Sequence, residues 1–427
     1  MKIAILTCFM SFPAGYSLTG IVRDQVVMLN KYGHDVHVFV NEKFNNSDSK
    51  SNIELPEYTK IEKKIPFTHL TDYHAMADIS AEHKLVKNNT SVMLQNELKD
   101  YDIVFTHDFL FTGWNLPYGL ACVEASKNAD LKNVRWMHWV HSIPSAGYDW
   151  WNSRFFGGYH KIIYPNDTDR LRVAEAYRGR INDVRVIPHI KDLRTLCAFS
   201  QESIEYLDFY PDIMKNDIVQ VYPASVDRLK AKGIHELISI FSNFKRMGYS
   251  VCLVIANQWA TGKQQREDTE VYKKLASRED LKVGHDLIFT SDYDKGKYGV
   301  GIPQKMLREL FMCSNLFIFP TREESFGLAL PEAVLAGGVL PVLNKSLTMQ
   351  TEVSGFNALY FNFGSYENAF SPEVPELYYR DLASIILGRL QQSESLLSKT
   401  YMRQRYNYDN IYNKYYAPVM AESSLWL

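Results

Sequence analysis

Residues 315–343, NLFIFPTREESFGLALPEAVLAGGVLPVL, decide the fold. The stretch opens with an unbroken apolar run that Pro320 closes, and it ends on a second one, VLPVL. Continuous apolar runs of this length suit parallel strands covered on both faces. Between them lie a polar loop and an apolar segment with Pro331 near its start and Gly337-Gly338 at its end. Proline is tolerated in a first helical turn, where its missing N–H costs nothing, and glycine commonly stops a helix. The stretch therefore reads as strand, loop, helix opening near Leu328, and strand, which is one unit of a parallel α/β sheet.

The same alternation runs the length of the chain. KIAILTC, DVHVFV, YDIVFTH, VRWMHWVH, KIIYPN and VRVIPHI read as strands of a first domain, with helices near 20–32 and 79–99 and a polar, loop-rich insert at 41–64. DIVQVYPAS, VCLVIAN, DLIFTS, NLFIFP and VLPVL read as a second series, with HELISIFSNFKRMG as its first helix. The expected fold is α/β, with two doubly wound, Rossmann-like domains facing a cleft. Domain boundaries fall at 1–195 and 217–378, with 196–216 as a weakly periodic linker and 379–427 as a helical region without a site motif. The 427 residues suffice for two domains of ordinary size.

Composition narrows the class. Charged residues make up 22%, apolar residues 46%, and the formal charge is -2, so neither a polybasic binder nor an acidic disordered chain is indicated. Cys8, Cys122, Cys197, Cys252 and Cys313 are odd in number, widely spread and lack a C-x-x-C pair. They read as reduced core residues of a cytoplasmic protein, with no disulfide framework and no metal site. MKIAILTCFM lacks a small-residue cleavage site and reads as a first buried strand instead of a leader. No apolar run approaches the ~20 residues that a bilayer span needs.

Ligands of open α/β sheets bind at the carboxyl ends of strands, so the loop after NLFIFP is where a site is expected. The helix opening near Leu328 offers unpaired N–H groups and the positive end of its dipole, a ready anion site for a diphosphate. Gly327 would let a ligand approach the backbone. Glu332, in the first turn, suits a pair of vicinal hydroxyls such as those of ribose, and Glu324 suits a sugar. A first-turn glutamate is also favoured by the helix dipole alone, by ~0.3–1 kcal/mol.

The run ESFGLALPEAVLAGGVLPV resembles the E-x7-E signature of retaining GT-B glycosyltransferases of family 4. The resemblance implies that Glu324 contacts the transferred sugar near its reacting carbon, that Phe326, Gly327 and Leu328 give backbone contacts, and that Glu332 holds the ribose. Ser325 stands where small residues, often glycine, occur. FPAGYSLTGIVRDQ is similar to the family's first phosphate loop, and Gly20 is the residue that matches. YPASVDRLKAKG is similar to the family's cationic loop. Lys232 fits its lysine, while the arginine position holds Asp227, with Arg228 next to it. Lysine and arginine there neutralise a leaving diphosphate without a metal. VRWMHWVHS is similar to the strand that ends in a histidine contacting the donor sugar. His141 is the better match and His138 the rival, and His107 in FTHDF is placed, with His138, toward the acceptor.

The strong motif agreement covers about 315–345. The chain departs from the family at Asn166, at His189-Ile190 and at Asn257-Gln258-Trp259, where a serine, Asn-Gly and a glycine-rich loop stand in the family. The resemblance implies a carboxy-terminal helix returning to the first domain, no bound cofactor, and a nucleotide-sugar donor, with UDP-sugar the first choice. The acceptor is a hydroxyl of a small molecule or glycan, or of a modified DNA base. Basic residues Arg154, Lys161, Arg170, Arg172, Arg178, Arg180 and Arg185 interleave with Trp136, Trp139, Trp150, Trp151, Phe155, Phe156 and Tyr159, a mixture that can bind nucleic-acid bases. The alternative readings are a nucleotide-sugar-binding or epimerase-type protein without transferase activity. Oligomeric state is not readable from the sequence.

Overall fold

The computed structural model describes residues 1–47, 52–66, 79–107, 116–141 and 156–421. The chain divides into two compact units, Met1–Lys191 with Tyr406–Leu427, and Asp192–Arg405.

The first unit is built on seven strands: β1 (Lys2–Leu6), β2 (Asp35–Asn41), β3 (Lys60–Ile65), β4 (Ile103–His107), β5 (Arg135–Trp139), β6 (Tyr159–Tyr164) and β7 (Val184–Val186). All pair in parallel, in the order β3-β2-β1-β4-β5-β6-β7. Alternation along each strand feeds two cores. Ala4, Leu6, Val104 and Trp136 enter one, while Ile3, Ile5, Phe105, Met137 and Trp139 enter the other. The strand order reverses between β1 and β4, which is the switch point where doubly wound sheets open a crevice. The polar insert at 41–64 hides a strand, β3, because an edge strand with one exposed row does not need an apolar run.

The second unit has two parallel ladders, β10-β9-β8 and β11-β12-β13, from β8 (Ile218–Ser225), β9 (Val251–Gln258), β10 (Leu287–Phe289), β11 (Leu316–Phe319), β12 (Leu340–Asn344) and β13 (Leu359–Phe361). The ladders meet along β8 and β11, where a buried side chain replaces much of the backbone pairing. Gln220 accepts from Ile318 N–H at 2.9 Å and donates to the Ile318 carbonyl at 2.9 Å, and Asn315 N–H donates to the Val219 carbonyl at 3.1 Å. That seam is also this unit's topological switch point.

Three expectations need correction. Residues 196–216 are not a linker: helices Gln201–Phe209 and Asp212–Lys215 bury Tyr206, Leu207, Ile213 and Met214 in the core of the second unit. Their aromatic and polar residues blur a 3.6-residue period. The region 379–427 does not pack as a whole on the first unit. Helix Glu394–Arg405 belongs to the second, where buried Arg403 donates to the carbonyls of Ile213 and Asn216 at 2.7 Å each, and Lys399 donates to the carbonyls of Ser314 and Gly337. Only the segment from Tyr406 returns to the first unit. There Tyr412 stacks on Tyr32 at 3.6 Å and hydrogen-bonds His34 Nε2 at 2.8 Å. Finally, Cys197 is exposed, whereas Cys122, Cys252 and Cys313 are buried. No described helix is long and apolar enough to cross a membrane.

Candidate functional site

In the second unit, the loops that follow β8 and β11 meet at the switch point. Lys232 and Glu324, one from each loop, form an ion pair with Nζ to Oε2 at 2.5 Å. Burial acts to raise the carboxyl of Glu324. The hydrogen bond and charge of Lys232 outweigh it, with the Ser325 N–H and Arg228 adding, so the group sits below the ordinary carboxylate value. Lys232, Glu324, Arg228, Phe326, Gly327, Leu328 and Glu332 all line one pocket of about 640 Å³, together with Ser225 and Gln258. Two short segments, 228–232 and 324–332, thus form one surface.

Helix Ala329–Gly337 opens on that pocket. Its N-cap is Leu328, and no side chain caps it; Leu330 N–H donates to the Gly327 carbonyl at 2.9 Å and Pro331 has no N–H, so the first turn leaves the Ala329 N–H as its donor. It stops at Gly338 in the left-handed conformation, φ +58°. Phe326 and Leu328 are half or more exposed within the pocket, at 50% and 68%. Apolar side chains left to solvent beside paired charges suit a ligand with both kinds of surface.

The glycines have structural reasons beyond ligand approach. At Gly327, φ is +76° and a Cβ would lie 2.8 Å from the Phe319 ring and 3.2 Å from Glu324 Cγ. Packing against β11 therefore calls for glycine here whether or not a ligand approaches. At Gly233, φ is +75° and a Cβ would meet Pro320 at 2.6 Å and its carbonyl oxygen at 2.9 Å. This close approach seats the Lys232 loop on the end of β11. Gly233→Ala is expected to cost the second unit about 1–3 kcal/mol through backbone strain and the Pro320 clash. Urea unfolding that leaves the midpoint unmoved would refute that account.

Arg228 is paired only loosely, 3.5 Å from Glu323, and both side chains are well exposed. The loop after β11 is fixed instead by residues that sequence reading missed. Asn344 Nδ2 donates to the Thr321 carbonyl at 2.9 Å and to the Gly364 carbonyl at 2.6 Å. Tyr222 Oη donates to the Lys232 carbonyl at 2.9 Å. Arg322 follows Thr321 and ties the two loops together. No periodicity marks such residues, because each acts on a backbone atom distant in sequence.

The first unit gathers histidines at its own switch point. His107 ends β4, and its ring is hydrogen-bonded at Nε2 to Gln25 Oε1 and at Nδ1 to His141 Nε2, both at 2.9 Å. His141, Trp139 and His189 form a triangle of near-parallel rings, with centroids 5.2, 5.2 and 5.3 Å apart. One N–H serves the two linked rings, so both cannot be protonated at once. Burial lowers His107 to about 3, with His189 adding, and burial lowers His189 to about 4, with Lys191 adding. His141 is likewise held well below its ordinary value, by burial first and then by His107 and His189.

His138 is not part of this group. Strand residues alternate faces, so His138 bonds Thr106 at 2.9 Å and packs on Phe156, while His107 and Trp139 lie on the opposite face. The pairing of His107 with His138 is therefore corrected to His107 with His141 and His189. Gly20 lies inside helix Ser17–Lys31 and not in a loop, and a Cβ there would meet nothing nearer than Ile53 at 3.9 Å. The basic and aromatic stretch is partly core, since Trp136 and Trp139 are fully buried. Asp149, Trp150, Trp151, Arg154 and Phe155 lie outside the described residues.

No family model matches the chain, and no curated protein matches it. Among solved structures it is similar to a glycosyltransferase from Rickettsia africae ESF-5, at 14% identity over 98% of this chain and 97% of that one, TM-score 0.38. It is similar to Anabaena Alr3699/HepE in complex with UDP and glucose, at 15% identity over 99% of each, TM-score 0.32. A third is WaaG, a glycosyltransferase involved in lipopolysaccharide biosynthesis, at 13% identity over 99% and 100%, TM-score 0.31. Likeness at these values carries no argument about what this chain binds.

Proposed function

We propose that the protein is a retaining glycosyltransferase that moves a sugar from a nucleotide-diphosphate sugar, with a UDP-sugar the first donor to try, to a hydroxyl acceptor. The observation that carries the reading is the Lys232–Glu324 pair in the pocket onto which the uncapped helix Ala329–Gly337 opens. An ammonium and the positive end of a helix suit a departing diphosphate, and carboxylates suit sugar and ribose hydroxyls.

In this reading Lys232, Arg228 and the Ala329 N–H at the helix start hold the diphosphate, Glu332 holds the ribose, and Glu324 holds the sugar. The bond from the anomeric carbon to the diphosphate breaks, the acceptor oxygen bonds to the same face of that carbon, and the acceptor proton passes to the departing phosphate oxygen. Lys232 leaves Glu324 when the diphosphate arrives, which frees both groups for the ligand at one stroke.

The test is nucleotide release from a panel of UDP-, GDP- and ADP-sugars, alone and with candidate acceptors that include hydroxymethylated DNA. Release from one donor would fix the donor class. If no donor releases nucleotide and no nucleotide raises the melting temperature, the reading fails.

A further inference from the structure

We infer that Arg322 is the positioning residue that holds Glu324 and Lys232 in register, an inference that rests on the reading of this pocket as a donor site. Arg322 precedes Glu324 by two residues, and its backbone N–H and carbonyl, its Nε and its Nη2 are engaged by other parts of the second unit. Its backbone N–H donates to the Ala231 carbonyl at 2.9 Å, next to Lys232, and its carbonyl accepts from Tyr366 N–H at 3.2 Å. Its Nε donates to the Phe363 carbonyl at 3.0 Å, beyond β13. Its Nη2 meets Glu236 Oε1 at 2.5 Å, in the first turn of helix Ile234–Arg246, the helix that Lys232-Gly233 leads into. Glu236 is only 5% exposed, and a carboxylate that buried needs its partner.

Two ion pairs therefore join the same two loops. Lys232–Glu324 lines the pocket, with side-chain exposures of 14% and 17%, and Arg322–Glu236, at 30% and 6%, stands outside the pocket lining. The Lys232–Glu324 pair must open when Lys232 turns to an anionic ligand. Neither Arg322 nor Glu236 lines the pocket, so their pair stays closed and keeps Glu324 in place during that exchange. Planar guanidinium geometry matters here, because one side chain must serve a carbonyl and a carboxylate in different directions.

The test uses the full chain with Arg322→Ala/Glu236→Ala, which removes both charges and leaves no buried carboxylate unpaired, and with Arg322→Lys. Two readouts are taken. The first, independent of activity, is the acylation rate of each lysine by a small reagent, read by mass spectrometry in the free protein. Lys232 is expected to react several-fold faster in the double variant, with Lys245 and Lys273 unchanged. The second is turnover of the donor. Misplacement by about 1 Å can cost up to about 100-fold, so kcat is expected to fall at least 10-fold while the donor KM moves less than about 3-fold. Arg322→Lys should recover the pairing with Glu236 and part of kcat. Unchanged Lys232 reactivity and kcat in a folded double variant would overturn the inference. If the wild type turns over no donor, the donor-site reading fails by itself, and the acylation rates still decide the role of Arg322.

Discussion

Lys232→Ala is expected to lower donor turnover by about 100- to 1000-fold, the range seen when one preorganised donor at a developing charge is removed. The same substitution should weaken UDP binding about 10- to 100-fold, since a hydrogen bond to a charged group contributes about 1.5–3 kcal/mol. Glu324→Ala behaves differently. Turnover should again be lost, but UDP binding should hold or tighten, because the alanine releases Lys232 from a partner that competes with the phosphates. Calorimetric titration of UDP into both variants, beside nucleotide-release rates, checks the two signs. Equal weakening of UDP binding by both substitutions would mean that the pair acts as a structural tie and not as a ligand switch.

Acid should unfold the first unit before carboxylate protonation alone would do so. His107 and His189 sit near 3 and 4 in the folded chain, against 6.5 when free, and His141 and His138 are held well below 6.5 by burial first. A folded value below the unfolded one means that the unfolded chain binds more protons, so stability is complete above about 6.5 and falls as pH drops toward 4 and 3. At pH 5 each of His107 and His189 should cost about 2 kcal/mol relative to pH 7.5. Urea midpoints at the two pH values, in the wild type and in His107→Gln and His189→Gln, measure this. A drop of the same size in both variants would show that the rings are not its source.

Much of the fold was legible because burial on both faces of a parallel sheet leaves a local mark. KIAIL, IVFTH, LFIF and their counterparts are apolar runs that need no partner to be recognised, and the expected helices near 79–99 and after Gly233 appear as Ala81–Glu97 and Ile234–Arg246. What failed was the part whose mark is weak. β3 carries alternating charges at a sheet edge, and β13 has three residues. The helices at 201–215 bury tyrosines that look polar in sequence.

The candidate site divides in the same way. Its loop, its helix and its two glutamates follow from residues 315–343 alone, because strand end, helix start and stop are set by neighbours in the chain. The partnership of Lys232 with Glu324, the bracing by Arg322, Glu236, Tyr222 and Asn344, and the grouping of His107 with His141 instead of His138 were decided only in three dimensions. Each depends on which strand lies beside which and on which face a residue points to. A side chain that meets its partner 92 positions away leaves no period or spacing behind it, so the sequence determines the pieces and the order of the strands brings them into contact.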